Sequence, residues 1–269
     1  MVFTNPMPSE WDLTSFNASY FKNAHGGKSN TKVADSFFNG IAKLRYQFVK
    51  NYLENIKKDV KIVLEIGPGP GYFATHWVNK HPDTNYIAVE SDSSCYPSLQ
   101  KVGIKIISDM DELQENYVDL VVISHVLEHV TNPAAFLSFA TSKLKKGGVL
   151  FIEVPCQDWK HKPLDEPHLL FFEKKSMQLL LEKLAFKGIY LAYFGKKLSQ
   201  LKKPSILNSF FNRVQNKMIY SGLIWPFSGK KVGMEGLDVP LERASMAQYK
   251  AHAQSDEPAW WLRAISLKS

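Results

Sequence analysis

Lys61-Ile-Val-Leu-Glu-Ile-Gly-Pro-Gly-Pro-Gly71 is the stretch on which the fold of this chain turns. An apolar run that ends in glycine at every second position reads as a strand entering a tight loop. Without β-carbons the loop backbone can take left-handed turns and lie close to a ligand. Gly71–Lys80 reads as the helix that follows. Its first N–H groups lack partners within the helix, and its dipole is positive at that end, so the loop favours an anionic group.

Working outward, strands and helices alternate, which predicts a parallel sheet with crossover helices. Lys61–Ile66 is the first strand, Asn85–Glu90 the second and Ile104–Ser108 the third. Val118–Ser124 is nearly continuous in apolar residues, as a strand buried on both faces requires. Pro133–Lys145 is a helix with proline in its first turn, ended by Lys146-Gly-Gly148. Val149–Val154 follows as the fifth strand, Lys174–Phe186 as a helix, Gly188–Phe194 as the sixth strand and Ala259–Leu267 as the seventh. Residues 31–57 have helical spacing. The expected organisation is a helical, lid-like segment over 1–58, a core over 59–195 and 257–269, and an inserted, substrate-binding cap over 196–256. Within that insertion Lys196–Lys231 holds eight lysines and arginines and no acid, together with Phe210, Phe211, Tyr220, Trp225 and Phe227.

The ligand is read from the loop and the strand ends. A dinucleotide fingerprint needs glycine at position 72, where this chain has Tyr72. The spacing of Gly67, Gly69 and Gly71 therefore favours S-adenosylmethionine over a nicotinamide dinucleotide. Glu65 can accept from the ligand's ammonium group. Glu90, with Ser91 beside it, can accept from both ribose hydroxyls. Asp109 is placed for the adenine amino group, with Asp111 its competitor and Met110 next to it. Ser124 and His125, at the end of the fourth strand, complete the expected cofactor contacts.

Leu64-Glu-Ile-Gly-Pro-Gly-Pro-Gly71, Ser124-His-Val-Leu-Glu-His-Val130 and Leu144-Lys-Lys-Gly-Gly-Val-Leu-Phe-Ile-Glu-Val-Pro155 resemble the successive motifs of the class I S-adenosylmethionine-dependent methyltransferases. They are most similar to the group holding ubiquinone-biosynthesis O-methyltransferases and sugar methyltransferases. The resemblance covers roughly residues 60–190. It implies an α/β, Rossmann-like, doubly wound seven-stranded sheet of order 3-2-1-4-5-7-6 with the last strand antiparallel. It also implies methyl transfer from S-adenosylmethionine, and it leaves the acceptor open.

Transfer to a hydroxyl needs a base as well as positioning. Three groups should gather at the carboxyl ends of the strands: His125-Val-Leu-Glu-His129, Asp165-Glu-Pro-His168 and His25-Gly-Gly-Lys28. Asp165–Phe172 is similar to a segment of sugar C-methyltransferases in which a histidine is the proposed base. His168 is therefore the first choice of base, with Glu128 and His129 in support. His25, Lys28 and Glu166 are candidate acceptor contacts. Gly26-Gly-Lys-Ser29 lacks the first glycine of a phosphate loop, since Lys22 stands there. Some relatives bind a divalent ion through an acid-x-x-Glu-His motif. Here His125 replaces the leading acid, so no metal is expected.

The formal net charge of +7 points to an anionic partner. A nucleotide-sugar or phosphosugar is the leading acceptor, and RNA held on the basic insertion is the alternative. A cofactor-binding scaffold without catalysis is the third reading. Two cysteines, Cys95 and Cys156, make neither a disulfide framework nor a zinc cluster. With no secretory pattern at Met1–Pro8 and no run long enough to cross a bilayer, a cytoplasmic protein is expected.

Overall fold

The computed structural model describes residues 2–20, 32–160, 168–201, 210, 211, 214, 217, 218, 221 and 233–269. The described strands are β1 (Val2–Phe3), β2 (Ile62–Ile66), β3 (Asn85–Val89), β4 (Lys105–Ile107), β5 (Val118–Ser124), β6 (Leu144–Pro155), β7 (Leu170–Phe171), β8 (Phe186–Lys197), β9 (Gln254–Ser255) and β10 (Ala259–Lys268). The helices named below are α1 (Glu10–Asn17), α2 (Lys32–Asn55), α3 (Tyr72–Lys80), α4 (Tyr96–Lys101), α5 (Pro133–Ser142), α6 (Lys174–Lys183) and α7 (Pro240–Gln248).

The main sheet has the order β4-β3-β2-β5-β6-β10-β8-β9. Its first seven members are the expected 3-2-1-4-5-7-6, and β10 runs antiparallel to both of its neighbours. Two findings extend the expectation. The short strand β9, from the region read as insertion, pairs antiparallel with β8 and makes an eighth strand. Outside the sheet, β1 pairs with β7 and ties the N-terminal segment to the stretch after His168.

β6 starts earlier than its apolar pattern implied. Leu144 already pairs with Val118, and the ladder then shifts register before Leu120 meets Val149. The residues Lys145–Gly148, read from sequence as the end of a helix, form this irregularity, and Gly147 takes a positive φ there. Helix α5 stops at Ser142. A step of two residues on β5 faces a step of five on β6, and the three extra residues kink the ladder without ending it.

Each face of the sheet is covered. Leu64, Ile123, Ile152 and Leu262 point to one side, into a core shared with Leu137, Met177 and Leu181. Val63, Leu120, Phe151 and Ile265 point to the other, against Tyr46, Val49 and Trp77 from α2 and α3. A third cluster joins Ile41 and Leu44 of α2 to Met234, Leu237, Met246 and Trp261. Residues 233–251, read from sequence as part of the cap, thus pack on α2 and the start of β10. Lys43 meets the buried Glu242 across that contact at 2.6 Å. No described helix is long and apolar enough to cross a membrane.

Candidate active site

The glycine loop joins β2 to α3 with left-handed backbone at Gly67 and Gly69, φ 67° and 57°. At Gly67 a β-carbon would stand 2.5 Å from Val126 Cγ2, so the loop lies directly against the turn after β5. At Gly69 a β-carbon would meet nothing within 4 Å, which leaves open space over the loop. Gly71, the residue capping α3, offers no side-chain cap. The first N–H groups of the helix therefore have no such acceptor.

Glu90, at the end of β3, is buried and reaches back to this loop. Its Oε2 accepts from the Gly69 N–H at 2.8 Å and its Oε1 from the Asp92 N–H at 2.8 Å. With a further bond from the Ser91 N–H, the carboxylate still keeps acceptor capacity for another donor. Burial pushes its carboxyl above the ordinary value, against the pull of those N–H groups. Glu65 is buried in β2, where the Tyr86 hydroxyl donates to it at 2.7 Å. Burial raises its pKa to about 7, with the Tyr86 bond and Arg45 opposing. Asp109 is exposed, and its side chain accepts from the Asp111 N–H at 2.8 Å, capping the short turn that buries Met110. Ser124 ends β5 with its hydroxyl buried and without a hydrogen-bond partner. Ser91 is exposed and donates to the Asn17 carbonyl at 3.3 Å.

His125 takes a left-handed φ of 56°, and its half-buried ring lies between two carboxylates. Its Nδ1 is 3.3 Å from Glu128 and its Nε2 is 3.2 Å from Glu153. Burial alone would lower its pKa, but these two acids outweigh it and raise the value.

The turn Leu127–His129 then carries the second group. Glu128, His129 and His168 are all buried, and one ligand-type atom from each lies within 4.8 Å of the others. The His129 and His168 rings meet edge to face with centroids 4.8 Å apart. The Leu169 N–H donates to the Glu128 carbonyl at 2.8 Å, which pins His168 to this turn. Burial raises the Glu128 pKa, yet His125, His129 and His168 together leave it below the ordinary value.

The N-terminal segment lies across these ends. Asn17 meets Ser91 beyond β3, and the Tyr20 ring stands 5.2 Å from His129 beyond β5. The strand between those two in the sheet is β2, whose glycine loop therefore lies beneath the crossing.

The matched family model, described as a methyltransferase domain, covers residues 40–191, more than half of the chain. The chain belongs to this methyltransferase family. With that membership goes S-adenosylmethionine as the methyl donor. Over 130 residues the chain is 28% identical to a ubiquinone biosynthesis O-methyltransferase of Hydrogenovibrio crunogenus, covering 45% of this chain and 52% of that one. Over 50 residues it is 42% identical to a tRNA (guanine-N(7)-)-methyltransferase of Clostridium acetobutylicum, covering 18% and 24%. The match thus spans about half, or less, of these curated relatives. A solved plantazolicin methyltransferase, in complex with a triazolic substrate analogue and S-adenosylhomocysteine, superposes with a TM-score of 0.56 at 16% identity, covering 96% of this chain and 98% of that one. At that identity the likeness is one of fold.

In this methyltransferase a cleft of about 1270 Å³ runs along α2 past Lys43, Tyr46, Lys50 and His76. Neither the glycine loop nor Glu90, His129 or His168 lines it. The candidate site therefore rests on strand topology and not on this cleft. His25, Lys28, Asp165 and Glu166 lie outside the described residues. Sequence reading missed Arg45, Glu153 and Arg263. The Glu153 carboxylate, wholly buried, takes Arg45 at 2.6 Å and Arg263 at 2.6 Å. Burial would raise its pKa, but the two guanidiniums and His125 hold it well below the carboxylate range.

Proposed function

We propose that this methyltransferase holds its donor across the carboxyl ends of β2, β3 and β5 and methylates a hydroxyl of a small anionic acceptor. A sugar, a nucleotide-linked sugar or a related phosphorylated metabolite fits that description. The observation that carries the reading is the buried Glu128–His129–His168 cluster, which Val126 sets against the glycine loop. In this reading Glu90 accepts from the ribose hydroxyls with its remaining lone pairs. Ser124 gives its orphaned hydroxyl to the ligand, Glu65 accepts from the ammonium group, and Asp109 takes the adenine amino group beside Met110. The open face of Gly69 lets backbone and ligand approach.

S-adenosylmethionine supplies an electrophilic methyl group when bound. The chain's own residues align the acceptor oxygen for in-line attack and take its proton. His168 is the base: a neutral imidazole accepts a hydroxyl proton near physiological pH, and the Glu128 carboxylate beside it favours the imidazolium that results. The N-terminal segment closes over the donor and excludes water, and the basic insertion supplies cations for the acceptor. His168→Ala is expected to lower kcat by about 10²–10⁴-fold with donor affinity nearly unchanged. Turnover equal to wild type would remove His168 from the chemistry.

No divalent ion enters this reading, because His125 stands where the metal-binding motif of some relatives carries its leading acid. Activity should survive a chelator. A loss restored by magnesium or manganese would instead make Glu128, His129 and His168 metal ligands. A second reading, RNA as acceptor, is favoured by the acid-free basic stretch Lys196–Lys231 and by the short match to a tRNA methyltransferase. Release of S-adenosylhomocysteine on pools of sugar nucleotides, compared with tRNA, separates the two. Release on neither pool favours a scaffold.

A further inference from the structure

The cleft along α2 has in its lining a charged group whose hydrogen-bonding capacity the fold leaves partly unused. Phe48 of α2, Tyr190 and Phe194 of β8 and Arg263 of β10 all border it. Phe48 stacks on Tyr190 with centroids 6.0 Å apart and meets Phe194 edge to face at 5.4 Å. The Arg263 guanidinium lies over both phenylalanines, 4.2 Å from the Phe194 centroid and 5.5 Å from that of Phe48. Arg263 is 1% exposed. Its Nε donates to Glu153, but its Nη2 has no hydrogen-bond partner in the protein. Glu153 is already shared with Arg45 and with His125, which also meets Glu128, so three basic groups draw on one carboxylate. Buried donors are nearly always paired, and a charged one left unpaired is the costliest.

We propose that the cleft binds a small aromatic carboxylate, with its carboxylate on Arg263 Nη2 and its ring among Phe48, Tyr190 and Phe194. A carboxylate supplies both the acceptor that Nη2 lacks and negative charge for the guanidiniums that share Glu153. The three side-chain rings supply flat apolar walls against which a planar ligand packs. Inorganic phosphate fits less well, because aromatic walls beside Arg263 offer its remaining oxygens no hydrogen bond. Glu235 and Asp238 also border the cleft and repel an anion. The Arg263 guanidinium, and not the overall charge of the cleft, therefore selects the ligand. This site is separate from the glycine loop and from the Glu128–His129–His168 cluster, and neither the acceptor nor the base proposed above enters it.

The test uses the full chain with isotope-labelled guanidinium groups, titrated with benzoate and read by NMR. The chain has four arginines, so their signals can be followed one by one. The expected result is a saturable shift of the Arg263 signals, with benzyl alcohol and acetate binding at least about tenfold more weakly. Tyr190→Ala, which removes a partly exposed ring outside the donor site, should weaken benzoate by about three- to tenfold. Its melting temperature and its affinity for S-adenosylmethionine should stay at wild-type values. Arg263→Gln should abolish benzoate binding; because it also strands Glu153, the Tyr190 variant carries the test if that protein does not fold. Three results would overturn the proposal: Arg263 signals that benzoate does not move, a shift that acetate matches at equal concentration, or a Tyr190 variant that binds like wild type. The first would leave Nη2 to a trapped water, and the second to anions of any shape. Donor affinity is read in the same samples, so failure of this cleft is distinguishable from failure of the cofactor site.

Discussion

In its proposed role as acceptor for the donor's ammonium group, the buried Glu65 couples donor binding to pH. Its pKa of about 7 means that the native state keeps a proton that the unfolded chain releases near 4.5. The stability contributed by that proton is complete below about 4.5 and is lost as pH rises to about 7, a span of up to about 3 kcal/mol. An incoming ammonium group needs the ionised carboxylate. Donor affinity should therefore rise between about pH 6 and about pH 8, while Glu65→Gln should bind more weakly and with a flat profile. Calorimetry at several pH values checks both, and parallel profiles for the two proteins would place the ammonium elsewhere.

At the scale of elements, Glu153 ties four of them together. It lies on β6, and its partners come from α2 (Arg45), β10 (Arg263) and the residue after β5 (His125). The Arg263 guanidinium also lies over the Phe194 ring of β8, 4.2 Å from its centroid. Removing one partner from a buried ion network strands the others without compensation. Glu153→Gln should thus cost about 3–5 kcal/mol in a denaturant titration. Since the native pKa is depressed, this stability is present above the unfolded value and disappears as pH falls through the native one, so the variant should lose most of its extra deficit in acid. None of this was legible in the sequence. Arg45 and Arg263 are 108 and 110 residues away from Glu153, and no local spacing links them. The apolar run of β5 and the glycine loop were legible because each is a local pattern with one physical meaning. The end of α5 was misread because Lys146-Gly-Gly148 suits a helix stop and a β-bulge equally well. The left-handed backbone of His125 is likewise a feature for which sequence pattern carries no signal.

Across the whole molecule, the N-terminal segment is anchored at points far apart in the chain. β1 holds β7, Leu13 enters the core, Asn17 meets Ser91, and Tyr20 packs on His129. A chain shortened to begin at residue 21 should keep its sheet but release the donor faster, because the crossing above the glycine loop is gone. Stopped-flow displacement of a fluorescent donor analogue measures this, and an unchanged off-rate would show that the segment does not cover the site.

The position of β10 has a consequence for how the protein is made. β10 pairs with β6 and β8 on its two sides, yet it is synthesised after both of them. From the end of β8 at Lys197 to the start of β10 at Ala259 a ribosome needs about 3–12 s at ordinary elongation rates. During that interval two long strands carry unpaired edges, one of them the buried apolar run of β6. Open edges of this kind recruit other chains, so the nascent protein should depend on chaperones more than the finished fold suggests.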